Sequence, residues 1–310
     1  MKLNILAISA LLFGAAFVSC SDESETLTPS GPDVNYFEVP ADYTGDDAQL
    51  RRDFYKQTGS YLIFNDLLWT GYDVYGNYHE ERVDFNWNIV SDNSSQYQIE
   101  YFETLEEKEK ATAIFRDEFL PYLESPSGNK AFDLFSVGLF PSLGTINSSS
   151  KRFVRADYIN GWRCFALNLD GLMECDDYDR PYEVRSLIIN MIQTMMDVES
   201  PELAEFQAPL EEIFDGSASC EDYFDDWLDL SDDEKYERVY ELGFLTYYPS
   251  SWFGDEFPYR KSDFRNYLNA VMNQTREEFY EEWADYPLIL QRYDLFVEAL
   301  DKLGFNPNPF

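Results

Sequence analysis

The sequence predicts an α+β fold with its strands in the first half and its helices in the second. Two observations carry this. Between residues 61 and 170, short runs rich in Val, Ile, Phe, Tyr and Trp are either continuously apolar or alternate apolar with polar, the two patterns of strands. From Pro181 onward, apolar residues recur at three- and four-residue spacing and polar or Gly/Pro residues punctuate them, the pattern of helices. A block of strands followed by a block of helices is the α+β order.

Taken in chain order, DDAQLRRDFYKQTG (46–59) has the polar start, apolar spacing and closing Gly59 of a helix. YLIF (61–64) and RVDFNWNIV (82–90) read as strands, with Val83, Phe85, Trp87 and Ile89 on one face of the second. Thr104 with Glu107 forms a capping box that opens a helix running to about Leu123. Strands follow at 132–140, 152–159 and 162–170. EVRSLIINMIQTMMDV (183–198) is apolar on most faces and predicts a helix buried in the middle of the domain. Further helices are expected at 201–213, 231–242, 260–273, 275–284 and 287–303, the last closed by Gly304. No internal repeat is present, so residues 41–310 are expected to form a single domain or two closely packed lobes.

Composition narrows the chemistry. Of 310 residues, 59 are Asp or Glu against 23 Lys or Arg, giving a formal charge of −36, and there is one histidine. So acidic a surface repels a phosphate backbone, which excludes nucleic acid as a partner. With 45% hydrophobic and 17% aromatic residues the chain can still build a core. One histidine excludes any metal site that needs two imidazoles, and restricts Ser-His or Cys-His catalysis to His79. His79 sits in YDVYGNYHEERVD, where it reads as a solvated residue in a loop or at a strand start, or else as a base beside Glu80 and Glu81.

The first residues indicate the compartment. Lys2 precedes an apolar run, Leu3 to Val18, that ends at Ser19-Cys20 and is shorter than the roughly 18 to 20 residues of a membrane span. Residues 1–19 are therefore expected to be a lipoprotein signal peptide with Cys20 as the lipidated residue, an ordinary cleaved signal being the alternative. Residues 20–40 are polar, acidic and Pro/Gly-containing, as a flexible tether is. An acidic run behind a lipidated cysteine resembles the signal that sends lipoproteins to the outer face of some outer membranes, so the expected location is the cell surface. Cys164 and Cys175 could bridge there; buried, inert thiols, Cys220 included, are the alternative.

Several phrases of the second half resemble the zinc-binding metallopeptidase lipoproteins encoded beside starch-utilisation-type outer-membrane importers, also described as substrate-import-associated zinc metallohydrolase lipoproteins. GFLTYYPSS (243–251), SDFRN (262–266) and the spaced Trp283, Pro287, Ile289 and Arg292 match that family's GFVSxYA, EDFAE-like and W-x-x-x-P-x-I-x-x-K phrases. The resemblance implies a zincin-like (gluzincin-like) architecture, a ligand helix at 187–197 and importer subunits as neighbours. It also implies a loss. Asn190 stands where the first metal histidine would be, Met191 where the general-base glutamate would be, and Thr194 where the second histidine would be. Ser262 and Asn266 replace outer acids of the EDFAE-like segment and leave Asp263. Neither Asn nor Thr replaces an imidazole in such a site, and Met191 cannot deprotonate water. No catalytic residue and no zinc are expected, and the chain is read as a binding relative for a peptide or glycan.

Two other functions remain open at this point: hydrolysis by paired carboxylates, and a purely structural role in the importer. The acid-rich stretches 174–179 and 219–234 lack the spaced loop of a calcium site and read as solvated surface. For binding, Tyr247, Tyr248, Trp252, Phe253 and Tyr259 form an aromatic cluster in a turn-rich stretch, suited to a sugar face or to packing their own loop.

Overall fold

The computed structural model describes residues 35–309 apart from 73–75, 84, 86–95, 148–149, 162, 217–218 and 251–253. The signal peptide, Cys20 and most of the tether lie outside the described residues, as do Trp87, Ile89, Trp252 and Phe253. The chain divides into two units, Met1–Glu38 and Val39–Phe310, and the second carries the architecture that follows. Its class is α+β, with the described strands lying between Tyr61 and Asn168 and most of the helices after them. Among the described residues no helix is long and apolar enough to cross a membrane.

Helix α1 (Ala48–Thr58) ends at Gly59, whose φ of 78° lets its N–H turn back to the carbonyl of Tyr55. The main sheet has the order β1 (Tyr61–Ile63), β5 (Ser136–Phe140), β9 (Phe165–Asn168), β8 (Tyr158–Asn160). Its first three strands are parallel and β8 runs antiparallel at the edge. All five residues of β5 are buried, which explains why SVGLF reads as an unbroken run rather than an alternation. A second, antiparallel sheet joins β4 (Gln96–Glu100), β6 (Ser142–Ile146) and β7 (Phe153–Arg155). The expected single strand at 152–159 is thus two strands, and the chain passes between sheets at Ala156–Asp157. Buried Asn168 pins that crossing: its Nδ2 donates to the carbonyls of Leu143 and Ala156.

Among the described residues four strands went unpredicted. The hairpin of β2 (Leu67–Tyr72) and β3 (Tyr78–Arg82) is largely exposed on both faces, so burial imposes no alternation on it. His79 lies exposed on β3 opposite Gly71. In β6, Gly144 and Ser142 hide the apolar period, and β4 mixes Gln and Glu with Tyr and Ile.

The capping box of Thr104 and Glu107 opens α2 (Leu105–Ala113) as predicted. Beyond Ala113 the chain winds as a π-helical turn, Ile114–Phe119, then a 3₁₀ turn, Leu120–Leu123, rather than continuing as α. Pro121 has no N–H to continue the α pattern. The wider turn buries Ile114, Phe115 and Phe119, with the two phenyl rings stacked 5.5 Å apart.

Helix α3 (Arg180–Met195) follows β9 and buries Val184, Ile188, Ile189, Met191 and Ile192. It is one-sided rather than apolar all round, since Tyr182, Glu183, Asn190 and Thr194 face solvent. The helix expected at 201–213 is a chain of short turns, because Pro209 interrupts it. After α4 (Asp232–Glu241) come α5 (Arg260–Asn273), α6 (Arg276–Glu282) and α7 (Pro287–Lys302). Capping boxes at Ser231/Glu234 and Thr275/Glu278 open α4 and α6.

An ion pair joins these helices. Arg292 on α7 and Asp263 on α5 are fully buried and meet at 2.6 Å. Arg292 also donates to the carbonyls of Gly243 (2.7 Å) and Phe206 (3.1 Å), and Tyr267 Oη donates to the same Gly243 carbonyl. The guanidinium lies over the rings of Phe206 and Tyr267, 4.2 and 4.7 Å from their centroids. Gly243 has φ of 94°, and a Cβ there would stand 3.0 Å from both Arg292 Cδ and Leu288 Cγ. Burial pushes the Asp263 carboxyl up and Arg292 draws it back, while the carboxylate keeps the guanidinium charged.

Removing one member strands the other without water. Arg292→Ala is expected to cost about 3–5 kcal/mol in urea unfolding, and the double change Arg292→Met with Asp263→Leu to cost less than Arg292→Ala alone. Equal midpoints for Arg292→Ala and wild type would refute this role.

Candidate functional site: the groove along helix α3

Helix α3 carries a row of residues one turn apart, Tyr182, Ser186, Asn190 and Thr194, on its outward side. Cavities lie to either side of Ser186 and Asn190. The first, about 300 Å³, is lined on the strand side by Arg155, Asp157, Asn168 and Asp170 and on the helix side by Glu183, Ser186, Leu187 and Asn190. The second, about 310 Å³, lies between α3 and α5 and is lined by Tyr182, Ser186, Asn190 and Gln193 facing Arg265, Asn269 and Asn273. Shared lining at Ser186 and Asn190 makes the two cavities one groove, with the row as its ridge.

Asn190 and Thr194 lie together on this exposed row, and Thr194 Oγ1 donates to the Asn190 carbonyl at 2.8 Å. Thr194 neighbours Tyr158 on β8, whose hydroxyl pKa is raised by burial. Met191 points the other way and is fully buried in the core. Ser262 and Asn266 are half-buried on α5, and the α5 residues that line a cavity with Asn190 are Arg265, Asn269 and Asn273 instead. The zinc implied by the resemblance does not fit this donor set: one carboxamide, one hydroxyl already committed to a backbone carbonyl, and a thioether on the wrong side of the helix. Among the described residues no three His, Cys, Asp or Glu side chains group as metal ligands would.

The aromatic cluster lies elsewhere. Tyr247 is buried against Trp227 and Tyr236 in a smaller core that also holds Phe244, Phe257 and Cys220. Tyr248 and Tyr259 are exposed, and the Tyr259 hydroxyl donates to Glu256. None of the three lines either cavity of the groove.

The acid-rich stretches are engaged locally. Asp176 accepts the N–H groups of Tyr178 and Asp179 just before α3, and Asp177 pairs with Arg180. In 219–234, Asp226 pairs with Arg238 and Glu234 caps α4. Within the groove, Arg155 bridges Asp157 and Asp170.

Sequence reading missed Arg265, Asn269 and Asn273, although they are spaced by four on a helix it had placed correctly. The signal was a polar stripe in RKSDFRNYLNAVMN matching the stripe at 182, 186 and 190. No family model matches the chain, and no curated protein or solved structure is similar to it.

Cys164, Cys175 and Cys220 are all unpaired thiols. Burial pushes Cys164 and Cys220 up to about 12. A raised thiol pKa means the folded chain keeps protons that the unfolded chain loses above about 9, so stability is full below pH 9 and falls as pH rises toward 12. In the native protein at pH 8, iodoacetamide is expected to leave Cys164 and Cys220 unmodified and to reach them only in urea, as read by peptide mass spectrometry. Rapid native modification of either would contradict their burial.

Proposed function

We propose that this chain is a surface lipoprotein of zincin-like (gluzincin-like) architecture that has lost its metal chemistry and holds a peptide or glycan in the α3 groove, beside an outer-membrane nutrient importer. Cys20, its acidic tether and the family phrases support the anchor and the importer; the groove supports the binding. The observation that carries the reading is the ridge of Ser186 and Asn190 with a polar cavity on each side. A carboxamide offers donors and an acceptor, so Asn190, Gln193, Asn269 and Asn273 match ligands that also carry both, namely sugar hydroxyls and peptide amides.

The family phrases support the architecture in a second way. Arg292 from the closing phrase donates both to the carbonyl of Gly243 from GFLTYYPSS and to the carboxylate of Asp263 from SDFRN. Hydrolysis by two carboxylates finds less support, since Asp157 and Asp170 are both tied to Arg155, leaving Glu183 as the other acid of that lining.

Asn190 is exposed, so Asn190→Trp fills the groove without touching the core. On arrays of oligosaccharides and peptides the full chain is expected to bind a defined ligand set, and Asn190→Trp to weaken it by at least about tenfold, or 1.4 kcal/mol, at an unchanged melting temperature. Elemental analysis is expected to find no stoichiometric zinc. A blank array, or one tightly held zinc per chain lost on His79→Ala, would overturn the reading.

A further inference from the structure

We infer that the cavity between α3 and α5 selects an acidic saccharide, Arg265 in its lining receiving the carboxylate of a uronic acid. The inference rests on the groove reading above and names the ligand class of that site.

Charge carries the first step. In a chain with 59 acids and 23 bases, most described arginines stand against a carboxylate. Arg265 and Arg185 do not: among the described residues neither has a carboxylate or hydrogen-bond partner. Arg265 lines the cavity, and no Asp or Glu shares that lining. Arg185 comes three residues after Tyr182 and four before Ile189, so it lies on the same flank of α3, beside the lining and not in it. Its Nε is buried without a partner, and so is Nδ2 of Asn266, three residues before Asn269 on α5. A guanidinium without a carboxylate partner in an acid-free lining describes a carboxylate site, and Arg is the side chain that binds carboxylate through paired, parallel N–H groups.

The rest of the lining favours a sugar as the bearer of that carboxylate. Asn190, Gln193, Asn269 and Asn273 can each give to and accept from vicinal hydroxyls, and Ser186 adds a hydroxyl. Tyr182 at the rim is 66% exposed and presents a flat apolar face to sugar C–H groups. A peptide C-terminus would use Arg265 but leave most of these carboxamides to water.

Calorimetric titration of the full chain with hexagalacturonate and with its methyl ester separates charge from shape. The acid is expected to bind at least about tenfold more tightly than the ester, and Arg265→Gln to abolish that preference with an unchanged melting temperature, as an exposed residue permits. If acid and ester bind equally, and Asn190→Trp abolishes both, the uronate inference fails and the groove reading stands. If a neutral peptide with a free C-terminus binds with the same arginine dependence while galacturonate does not, the saccharide assignment is overturned. If no saccharide or peptide binds, both readings fail.

Discussion

The buried pair of Arg292 and Asp263 is the interaction on which the helical half depends. Taking both charges from water costs several kcal/mol each, so the pair persists only where every donor and acceptor is answered. The fold answers them. Two carboxylate oxygens, two backbone carbonyls and two aromatic faces surround a single guanidinium. Because the carbonyls come from residues 206 and 243, and the carboxylate from 263, one side chain on α7 fixes the chain at three distant points. Any sliding of α5 against α7 would break charge-assisted bonds in a dry interior. The wall of the groove that α5 provides is therefore held from behind, and its exposed face is free to carry residues that contribute nothing to folding.

That division of labour explains what could be read from the sequence. Helices with a buried stripe or a cap were legible, α5 and α7 by the stripe and α4 and α6 by their capping boxes, since burial and capping write themselves at fixed spacing. The β5 strand was legible for a related reason: burial on both sides demands an unbroken apolar run. The β2–β3 hairpin was not, because neither face is buried enough to impose a period. The helix predicted to reach Leu123 changes to a π turn after Ala113, a change that depends on how Phe115 and Phe119 meet the sheet, and no local pattern records such a meeting. Pro209 did record the break in 201–213, and the apolar spacing around it outweighed that signal.

The site was legible in part and for a different reason. Asn190 and Thr194 came from a resemblance, and the structure places both on one exposed row. Ser262 and Asn266 came the same way, and their half-burial leaves the cavity to residues three further along, Arg265 and Asn269. A stretch of helix shows which residues share a face, but the facing helix decides which of two adjacent stripes borders open space. Residue type gave no warning either: Asn and Arg on an exposed stripe look like ordinary surface until the absence of acid around them is set against a chain this acidic. The aromatics of 247–259 show the converse. They attract attention by composition, yet Tyr247 is spent on packing a second small core around Trp227.

The net charge gives the groove an unusual electrostatic setting. An acidic ligand approaches a protein of formal charge −36, so at distances beyond contact it is repelled. Near the cavity the balance reverses, because the Arg265 guanidinium belongs to the lining and no carboxylate shares it. Screening acts on the two regimes unequally: long-range repulsion fades over a Debye length of about 8 Å at physiological salt, whereas close, partly desolvated contacts fade less. Association of an acidic saccharide should therefore speed up as ionic strength rises from low values, the reverse of steered association between opposite charges. Selectivity at such a site arises at contact and not on approach, so neutral ligands reach the groove more easily than acidic ones but find fewer bonds there.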